Sequence, residues 1–162
     1  MRQQAIRSPV TDALRSRIMR SNKSKGNLST ELTLARLLRA ARISGWRRGI
    51  VLVGRPDFVF KRQQVALFVD GCYWHGCKCK RPPKANRRYW IAKFCSNRAR
   101  DRKINRQLQA LGWTVVRVKE HQLKKNPQLV IRRISELITE LSDIEYALLK
   151  ESHATQAKRR NS

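Results

Sequence analysis

The sequence predicts an α/β fold, in which a central mixed β-sheet is flanked by helices and one loop is pinned by zinc. Three observations support this prediction. Short runs rich in Val, Phe and Leu alternate with amphipathic helical patterns along the chain. Three of the four cysteines fall within the segment 72–79. At 162 residues and 41% hydrophobic content, the chain is long enough for one core and short tails.

The predicted elements follow one another in a simple order. Ser29 or Thr30 can cap a first helix, which carries Glu31 in its first turn and ends near Ser44 and Gly45. Turn residues then separate three strand-like runs, at Gly49–Val53, Asp57–Lys61 and Val65–Asp70. The later segments are expected to form a loop, a basic helix ended by Gly112, a strand and an amphipathic helix, at 71–85, 86–110, 113–119 and 127–141.

The folded part of the chain is expected to be one domain, at residues 29–145. Residues 1–28 form a basic N-terminal arm with seven Lys/Arg and one Asp, and apolar residues at helical spacing predict a short helix at 11–20. A disordered basic tail is the alternative for this arm. Residues 146–162 are expected to form a basic C-terminal tail.

Net charge is the strongest global feature of the sequence. Lys and Arg number 37 and Asp and Glu 11, which gives a formal net charge of +26 and favours a polyanionic partner. Nucleic acid is the expected partner, and a membrane binder or a ribosomal protein is the alternative. The sequence has no apolar run of about 18 residues and no apolar signal core, so we expect no membrane contact and an intracellular location.

Two acids, Asp57 and Asp70, flank a predicted hairpin. A two-residue turn at Arg62 and Gln63 pairs position 57 with 68, which places Asp70 diagonal to Asp57 on one face, roughly 7–8 Å away at Cα. Two carboxylates at that spacing can share Mg²⁺ for phosphodiester hydrolysis, and Glu31 can supply a third. The alternative is structural, because an Asp after Pro often caps a turn and Asp-Gly is a common turn pair.

The loop also carries three thiols, those of Cys72, Cys77 and Cys79. A tetrahedral Zn²⁺ site needs a fourth nitrogen or sulfur ligand, and the candidates are His75, Cys95 and His121. We favour His121, because it follows the strand at 113–119 and can return to the loop. His75 lies beside the acids, where an imidazole can transfer a proton. Reduced, unliganded cysteines are the alternative, and Cys95 is interpreted as a packing thiol.

Aromatic residues of this loop predict contacts with bases. Tyr73 and Trp74 lie among cationic residues and can enter a base stack as wedges. Core packing beneath the loop is the alternative for both. Trp90, on the basic helix, has the same two interpretations.

The basic helix is expected to follow DNA phosphates. Residues 78–106 contain twelve Lys/Arg and a single acid, which is too lopsided for ordinary salt-bridge pairing along a helix. Arg87 and Arg88 begin this helix and are candidate phosphate ligands. Such contacts add affinity without sequence preference.

These residues together resemble the very short patch repair endonucleases, which nick DNA at T:G mismatches and belong to the restriction-endonuclease-like superfamily. The likeness spans roughly residues 15–123, and its most specific part is the string GCYWHGCKC at 71–79. The remaining matches are short motifs in the same order, at Arg15–Met19, Glu31, Gly54–Asp57, Tyr89–Trp90, Asn97–Arg102 and Leu111–Trp113.

The resemblance implies a catalytic role for several residues. Asp57 matches a magnesium-binding aspartate, His75 a catalytic histidine and Glu31 a glutamate of the catalytic site. Val69 matches a residue whose backbone carbonyl binds magnesium. Asp70 departs from the type member of the family, which has a histidine at this position, and makes the site resemble the two-carboxylate pattern of the wider superfamily.

The resemblance also implies the zinc ligands and the DNA contacts. Cys77 and His121 exchange the ligand types usual at their positions, which zinc tolerates. Met19 lies in an N-terminal helix that approaches the mismatch from the other groove. The structural zinc would be held by Cys72, Cys77, Cys79 and His121, and the aromatics inserted beside the mismatch would be Tyr73, Trp74 and Trp90.

The function implied by this resemblance is a Mg²⁺-dependent nick in duplex DNA, 5′ to the thymine of a T:G mismatch. We expect a monomer in the bacterial cytoplasm, associated with the nucleoid when bound to DNA, with other mismatch-repair proteins as further candidate partners. Two alternatives stand beside it. One is a mismatch-independent nuclease of the same fold, and the other is a zinc-ordered DNA-binding module without catalysis.

Overall fold

The computed structural model describes residues 28–74, 77, 79 and 86–160, with side chains for residues 30–74, 77, 79 and 86–150. In this part of the chain the elements are, in order, α1 (Leu28–Ala40), β1 (Trp46–Arg47), β2 (Phe58–Phe60), β3 (Val65–Asp70), α2 (Arg87–Ala110), β4 (Thr114–Lys119), α3 (Glu120–Lys125) and α4 (Pro127–Arg160).

The four strands form one mixed sheet in the order β1-β2-β3-β4. The pairs β1/β2 and β2/β3 are antiparallel, whereas β3 and β4 are parallel. A parallel pair needs a long crossover, which here contains α2. The predicted α/β class with a central mixed sheet flanked by helices is confirmed.

The β2/β3 hairpin has the register that the sequence predicts. Phe58 pairs with Leu67 and Phe60 with Val65, so the same register continues to position 57 opposite 68. The turn spans residues 61–64 and is closed by the Gln64 N–H, which donates to the Lys61 carbonyl at 3.3 Å. Asp57 and Asp70 therefore lie at the same end of the hairpin.

Each face of the sheet buries a separate apolar core. On one face, α1, α3 and α4 pack against Phe58, Phe60, Val65 and Leu67. On the other face, Leu108 and Ile104 of α2 pack against Ala66 and Phe68. The basic helix α2 thus lies alone on its face of the sheet among the described helices, and its exposed side is available to a ligand.

The strand predicted at Gly49–Val53 is wrong. The first strand is shorter and earlier, at Trp46–Arg47, because Gly49 adopts a φ of 70° that turns the chain away from the sheet. Val51 is 96% exposed, while Leu52 and Val53 pack beside α2 instead of extending the sheet.

Two helices differ from their predicted bounds. Helix α1 already begins at Leu28, so Ser29 and Thr30 lie in its first turn rather than at its cap, and it ends at Ala40, before Arg42 at a φ of 56°. Helix α4 continues through the predicted tail to Arg160, because no Gly or Pro follows Pro127. Helix α2 and strand β4 agree with their predictions, and Gly112 follows α2 at a φ of 79°.

Candidate active site and metal centre

An acidic cluster lies where β2 begins and β3 ends. Asp57 directly precedes β2, and its Oδ2 accepts a hydrogen bond of 2.6 Å from the Val69 N–H. The N–H and C=O of a strand residue point to the same side, so the Val69 carbonyl also faces the Asp57 side of β3. A carboxylate and a backbone carbonyl are thereby brought together.

Glu31 joins this cluster from the first turn of α1. Its carboxyl forms a hydrogen bond with that of Asp57, and Arg48 Nη2 lies 2.5 Å from Glu31 Oε2. Burial raises the pKa of Asp57 from its ordinary 3.8 to about 6; the Val69 hydrogen bond opposes the increase, and the acids Glu31 and Asp70 add to it. Crowded carboxyls with oxygen ligands suit Mg²⁺, because a cation would relieve their repulsion.

Asp70 is buried at the end of β3 and points toward the α2 side of the sheet. Its Oδ1 lies 2.8 Å from Arg117 Nη1, and the two side chains are only 11% and 17% exposed. The sequence predicted Asp70 as a site residue but gave no sign of Arg117. The sequence could not predict this ion pair, because it depends on the pairing of β3 with β4, which places Arg117 opposite Phe68.

The predicted zinc ligands come together in space. The ligand atoms of Cys72, Cys77, Cys79 and His121 all lie within 4.8 Å of one another. His121 Nδ1 is 3.2 Å from Cys72 Sγ and 3.4 Å from Cys77 Sγ. These separations fit a tetrahedral Zn²⁺ with Zn–S of about 2.3 Å and Zn–N of about 2.0–2.1 Å. The cluster can therefore bind a metal ion.

Parallel pairing explains how His121 reaches the cysteine loop. β3 leads directly into Gly71 and Cys72, and β4 leads directly into α3, so both strands deliver their next residues to the same edge of the sheet. Asp70 pairs with Lys119, which places position 121 beside position 72. This pairing brings the fourth ligand to the loop from across the sheet.

The thiols perturb one another strongly. Hydrogen bonding with the Cys77 sulfur, then desolvation, raises the pKa of Cys79 to about 12. Burial acts to raise the pKa of Cys77, but hydrogen bonds from Cys79 and Cys72 outweigh it, and the net shift is downward. Several thiolates can coexist at this spacing only beside a cation, which is the chemistry of a structural zinc site.

Hydrogen bonds from neighbouring backbone and carboxylate groups hold the candidate ligands Cys72 and His121 in place. Glu120 Oε2 accepts a hydrogen bond of 3.2 Å from the Cys72 N–H, and Lys124 Nζ lies 2.6 Å from Glu120 Oε1. The His121 N–H donates to Cys72 Sγ at 3.3 Å. Such outer contacts orient metal ligands. Sequence reasoning missed Glu120, because an acid beside a ligand has no distinguishing pattern.

The loop aromatics pack against α2. The ring centroids of Tyr73 and Trp90 are 5.1 Å apart, and those of Trp74 and Trp90 are 6.1 Å apart. Tyr73 and Trp74 are half-buried, whereas Trp90 is 8% exposed and also contacts Phe94. Trp90 thus supports the two loop aromatics in this structure, and its insertion into DNA stays a prediction.

The outer side of α2 is strongly basic. Arg87 and Arg88 are exposed at its start, and the other cations of the helix are exposed as well, at Lys93, Arg98, Arg100, Arg102, Lys103 and Arg106. The buried side carries Trp90, Phe94, Asn97 and Leu108. A basic outer side on a helix fixed to the sheet can follow a phosphate backbone.

Several sequence predictions need separate mention. His75 and Met19 lie outside the described residues, as does the predicted helix at 11–20. Cys95, interpreted as a packing thiol, is instead exposed, because it lies on the outer side of α2 beside Arg98, whose Nη2 is 3.6 Å from the sulfur. Among the described helices, none is long and apolar enough to cross a membrane.

Comparisons with known proteins identify the family. A family model described as DNA mismatch endonuclease Vsr matches residues 9–81. A type II nicking enzyme of Neisseria meningitidis serogroup C is 36% identical over 132 residues, which cover 80% of this chain and 88% of the relative. A type II nicking enzyme of Haemophilus parainfluenzae is 32% identical over 134 residues, which cover 81% of this chain and 95% of the relative.

A third relative carries the family name itself. The DNA mismatch endonuclease Vsr of Escherichia coli (strain K12) is 32% identical over 130 residues, which cover 79% of this chain and 83% of the relative. The matches cover the acidic cluster and the cysteine loop as far as residue 81 in the family model and most of the chain in the relatives. The chain therefore belongs to the Vsr family of DNA mismatch endonucleases, and is a DNA-cleaving hydrolase with a restriction-endonuclease-like fold.

Proposed function

We propose that this endonuclease depends on Mg²⁺ and nicks duplex DNA 5′ to the thymine of a T:G mismatch, in very short patch repair. The observation that carries the proposal is one juxtaposition. An acidic cluster around Asp57 lies at the same edge of the sheet as the cysteine loop, which presents Tyr73 and Trp74. Membership of the Vsr family supports a role in DNA cleavage for both the acidic cluster and the cysteine loop.

The acidic cluster supplies the catalytic groups. Asp57 and the Val69 carbonyl would hold Mg²⁺, with Asp70 as an additional carboxylate at the same end of the hairpin. The ion, when bound, stabilises charge on the scissile phosphate and acidifies a water molecule. Glu31 assists through its hydrogen bond to Asp57. Arg48 neutralises the charge of Glu31 by forming an ion pair with it. His75, outside the described residues, moves a proton or positions the attacking water.

Zinc has a structural role in this proposal. Cys72, Cys77, Cys79 and His121 hold it with no position left for substrate, as in closed structural sites. Tyr73 and Trp74 lie between the ligands, so zinc fixes the part of the loop that meets the bases. Their rings can enter the opened stack, with Trp90 supporting them from α2.

DNA is held along the outer side of α2. Arg87 and Arg88 contact phosphates near the loop, and the remaining cations of the helix continue the track. Met19 approaches from the other groove in this proposal. The enzyme acts as a monomer, and other mismatch-repair proteins are its further candidate partners.

A nicking assay tests the proposal directly. Oligonucleotide duplexes that differ only in one T:G or T:A pair are incubated with Mg²⁺ and with either the unchanged chain or Asp57→Ala. We expect one nick, 5′ to the mismatched thymine, at least about a hundred-fold faster than in the paired duplex. Asp57→Ala should bind the mismatch and leave it intact. Unchanged nicking by this variant would refute the assigned centre.

A mismatch-independent nuclease of the same fold is the second candidate. The observation that favours it is Asp70, a second carboxylate near Asp57 that forms an ion pair with the nearly buried Arg117. Equal nicking of the paired and mismatched duplexes would select this candidate. A zinc-ordered binding module would bind both duplexes and cut neither.

A further inference from the structure

Helix α2 has a polar row on its inner side. Asn97, Asp101 and Asn105 are spaced by four residues, so they lie one above another on one side of the helix. None of the three is exposed, whereas every Lys and Arg of α2 is exposed. The helix therefore faces outward with cations and inward with amides and an acid, and the inward groups have specific partners.

Arg117 of β4 is the main partner of this row. Its Nη1 lies 2.8 Å from Asp70 Oδ1, its Nη2 lies 3.5 Å from Asp101 Oδ1, and its Nε donates to Asn105 Oδ1 at 3.0 Å. The guanidinium also stacks over Phe68, 4.4 Å from the ring centroid. One nearly buried side chain thus joins the end of β3 to two consecutive turns of α2.

The chemistry of arginine suits this junction. A rigid planar fork donates in several fixed directions, whereas a lysine ammonium is a compact charge on a flexible stem. Burying a guanidinium is costly unless its donors are satisfied, and breaking a buried ion pair leaves its partner without compensation. Asp70, at 11% exposure, receives such compensation from Arg117.

The same row holds the loop that follows β3. Asn97 Nδ2 donates to the Trp74 carbonyl at 2.7 Å, and Asn97 is 8% exposed. Trp74 is therefore bound to α2 directly and Asp70 through Arg117, four residues apart in the chain. Between them lie Gly71, Cys72 and Tyr73, and directly before them lies Val69.

We propose that Arg117 is a positioning residue of the nuclease centre, which fixes Asp70 at the end of β3 and links it to the DNA-binding helix α2. The inference rests on the proposed function for the role of Asp70 and Val69 in binding the catalytic cation. Through Arg117, the helix that follows the phosphates also sets the distance between the cation site and the loop aromatics.

The test compares Arg117→Met and Arg117→Lys with the matched control Arg62→Met. Arg62 is exposed at the opposite end of the hairpin, where it pairs with Glu145. Three readouts are taken: Mn²⁺ affinity by electron paramagnetic resonance, DNA affinity by fluorescence anisotropy, and the single-turnover nicking rate. Circular dichroism and metal analysis establish that each variant is folded and retains zinc.

We expect Arg117→Met to weaken Mn²⁺ binding about five-fold or more and to slow nicking about ten- to a hundred-fold, with DNA affinity within about two-fold of the unchanged chain. Arg117→Lys keeps a buried charge beside Asp70. Its Mn²⁺ affinity and nicking rate should therefore lie between those of Arg117→Met and those of the unchanged chain. Asp70→Asn combined with Arg117→Met should lose less than the sum of the two single losses, because the two changes remove one shared contact.

Two outcomes would overturn the inference. One is a folded Arg117→Met with unchanged Mn²⁺ affinity and nicking rate; should that variant not fold, Arg117→Lys with unchanged values counts equally. The other is a loss of DNA affinity that matches the loss of rate, which would make Arg117 a phosphate ligand. If the unchanged chain binds Mn²⁺ but nicks no duplex, the proposed function fails, and the Mn²⁺ measurement alone decides the role of Arg117.

Discussion

Asp57 lies in an unusual environment for an aspartate. It lies half-buried in a chain of net charge +26, yet its nearest charged neighbours are acids. Burial and those acids raise the pKa of Asp57 to about 6, so a proton competes with any cation for the carboxylate oxygens of Asp57. Such crowding of carboxyls, with a raised pKa, is typical of a metal site whose ligands are held together before the ion binds.

The first prediction concerns the stability of Asp57→Asn. The folded chain keeps the Asp57 proton up to about pH 6, whereas an ordinary carboxyl loses it near 3.8, so folding weakens as pH rises through this window. Asn carries no charge, and we expect it to raise Tm by a few degrees at about pH 8 without added Mg²⁺, on the order of 1–3 kcal/mol.

The same variant supplies its own control. At about pH 4 Asp57 is largely protonated in the folded chain, so Asp57→Asn should leave Tm nearly unchanged there. Scanning calorimetry at the two pH values measures both differences. An equal gain at both values would mean that packing, rather than the carboxylate charge, causes the change.

At the scale of elements, the predictability of each feature follows from the range of the contacts behind it. The β2/β3 hairpin depends on residues close in sequence, so the placement of Asp57 opposite position 68 was predictable. The Cys/His cluster was predictable because few side chains can serve as ligands of a metal such as zinc. Arg117 was not, because its role depends on a parallel pairing across the whole of α2.

The wrong strand at Gly49–Val53 has the same explanation. Of its apolar residues, Val51 is exposed, whereas Leu52 and Val53 contact the core beneath α2. Hydrophobicity therefore predicted their burial correctly, but the backbone at Gly49 turns away from the sheet. Composition indicates that a segment packs, and only its tertiary partner decides in which conformation.

The second prediction concerns the cysteine loop as an element. Cys79→Ser should reduce the zinc content below one ion per chain, because the closed site loses one of four ligands. We expect a lower Tm, a change in tryptophan fluorescence from Trp74 and Trp90, and nicking slowed about ten-fold or more. Elemental analysis and the nicking assay measure these effects.

Cys95→Ser is the matched control for that change. Cys95 is exposed on α2 and lies outside the Cys/His cluster. It should retain the zinc, the fluorescence and the nicking rate of the unchanged chain. Zinc retained in Cys79→Ser but lost in Cys95→Ser would contradict the assigned ligand set.

At the scale of the whole molecule, charge is distributed unevenly. Five of the eleven acids lie within 136–151 of α4, and the outer side of α2 is basic throughout. The two helices cover opposite faces of the sheet. Charge near α2 should therefore act on DNA binding more than the same charge on α4.

The third prediction separates local charge from total charge. If about eight cations contact phosphates, the logarithm of the DNA association constant should fall with the logarithm of salt concentration at a slope near −7, at roughly −0.9 per contact. Arg87→Ala with Arg88→Ala should make that slope less steep by about 1 to 2, because both cations lie exposed at the start of α2.

The control removes the same charge from the opposite face. Arg132 and Arg133 are exposed on α4, and replacing both with Ala changes the net charge by the same amount. We expect the slope to differ from that of the unchanged chain by no more than the equivalent of about half a phosphate contact. Fluorescence anisotropy over a salt series gives all three slopes. Equal effects of the two double variants would mean that DNA responds to the total charge of the protein, and α2 would lose its assignment as the DNA-binding helix.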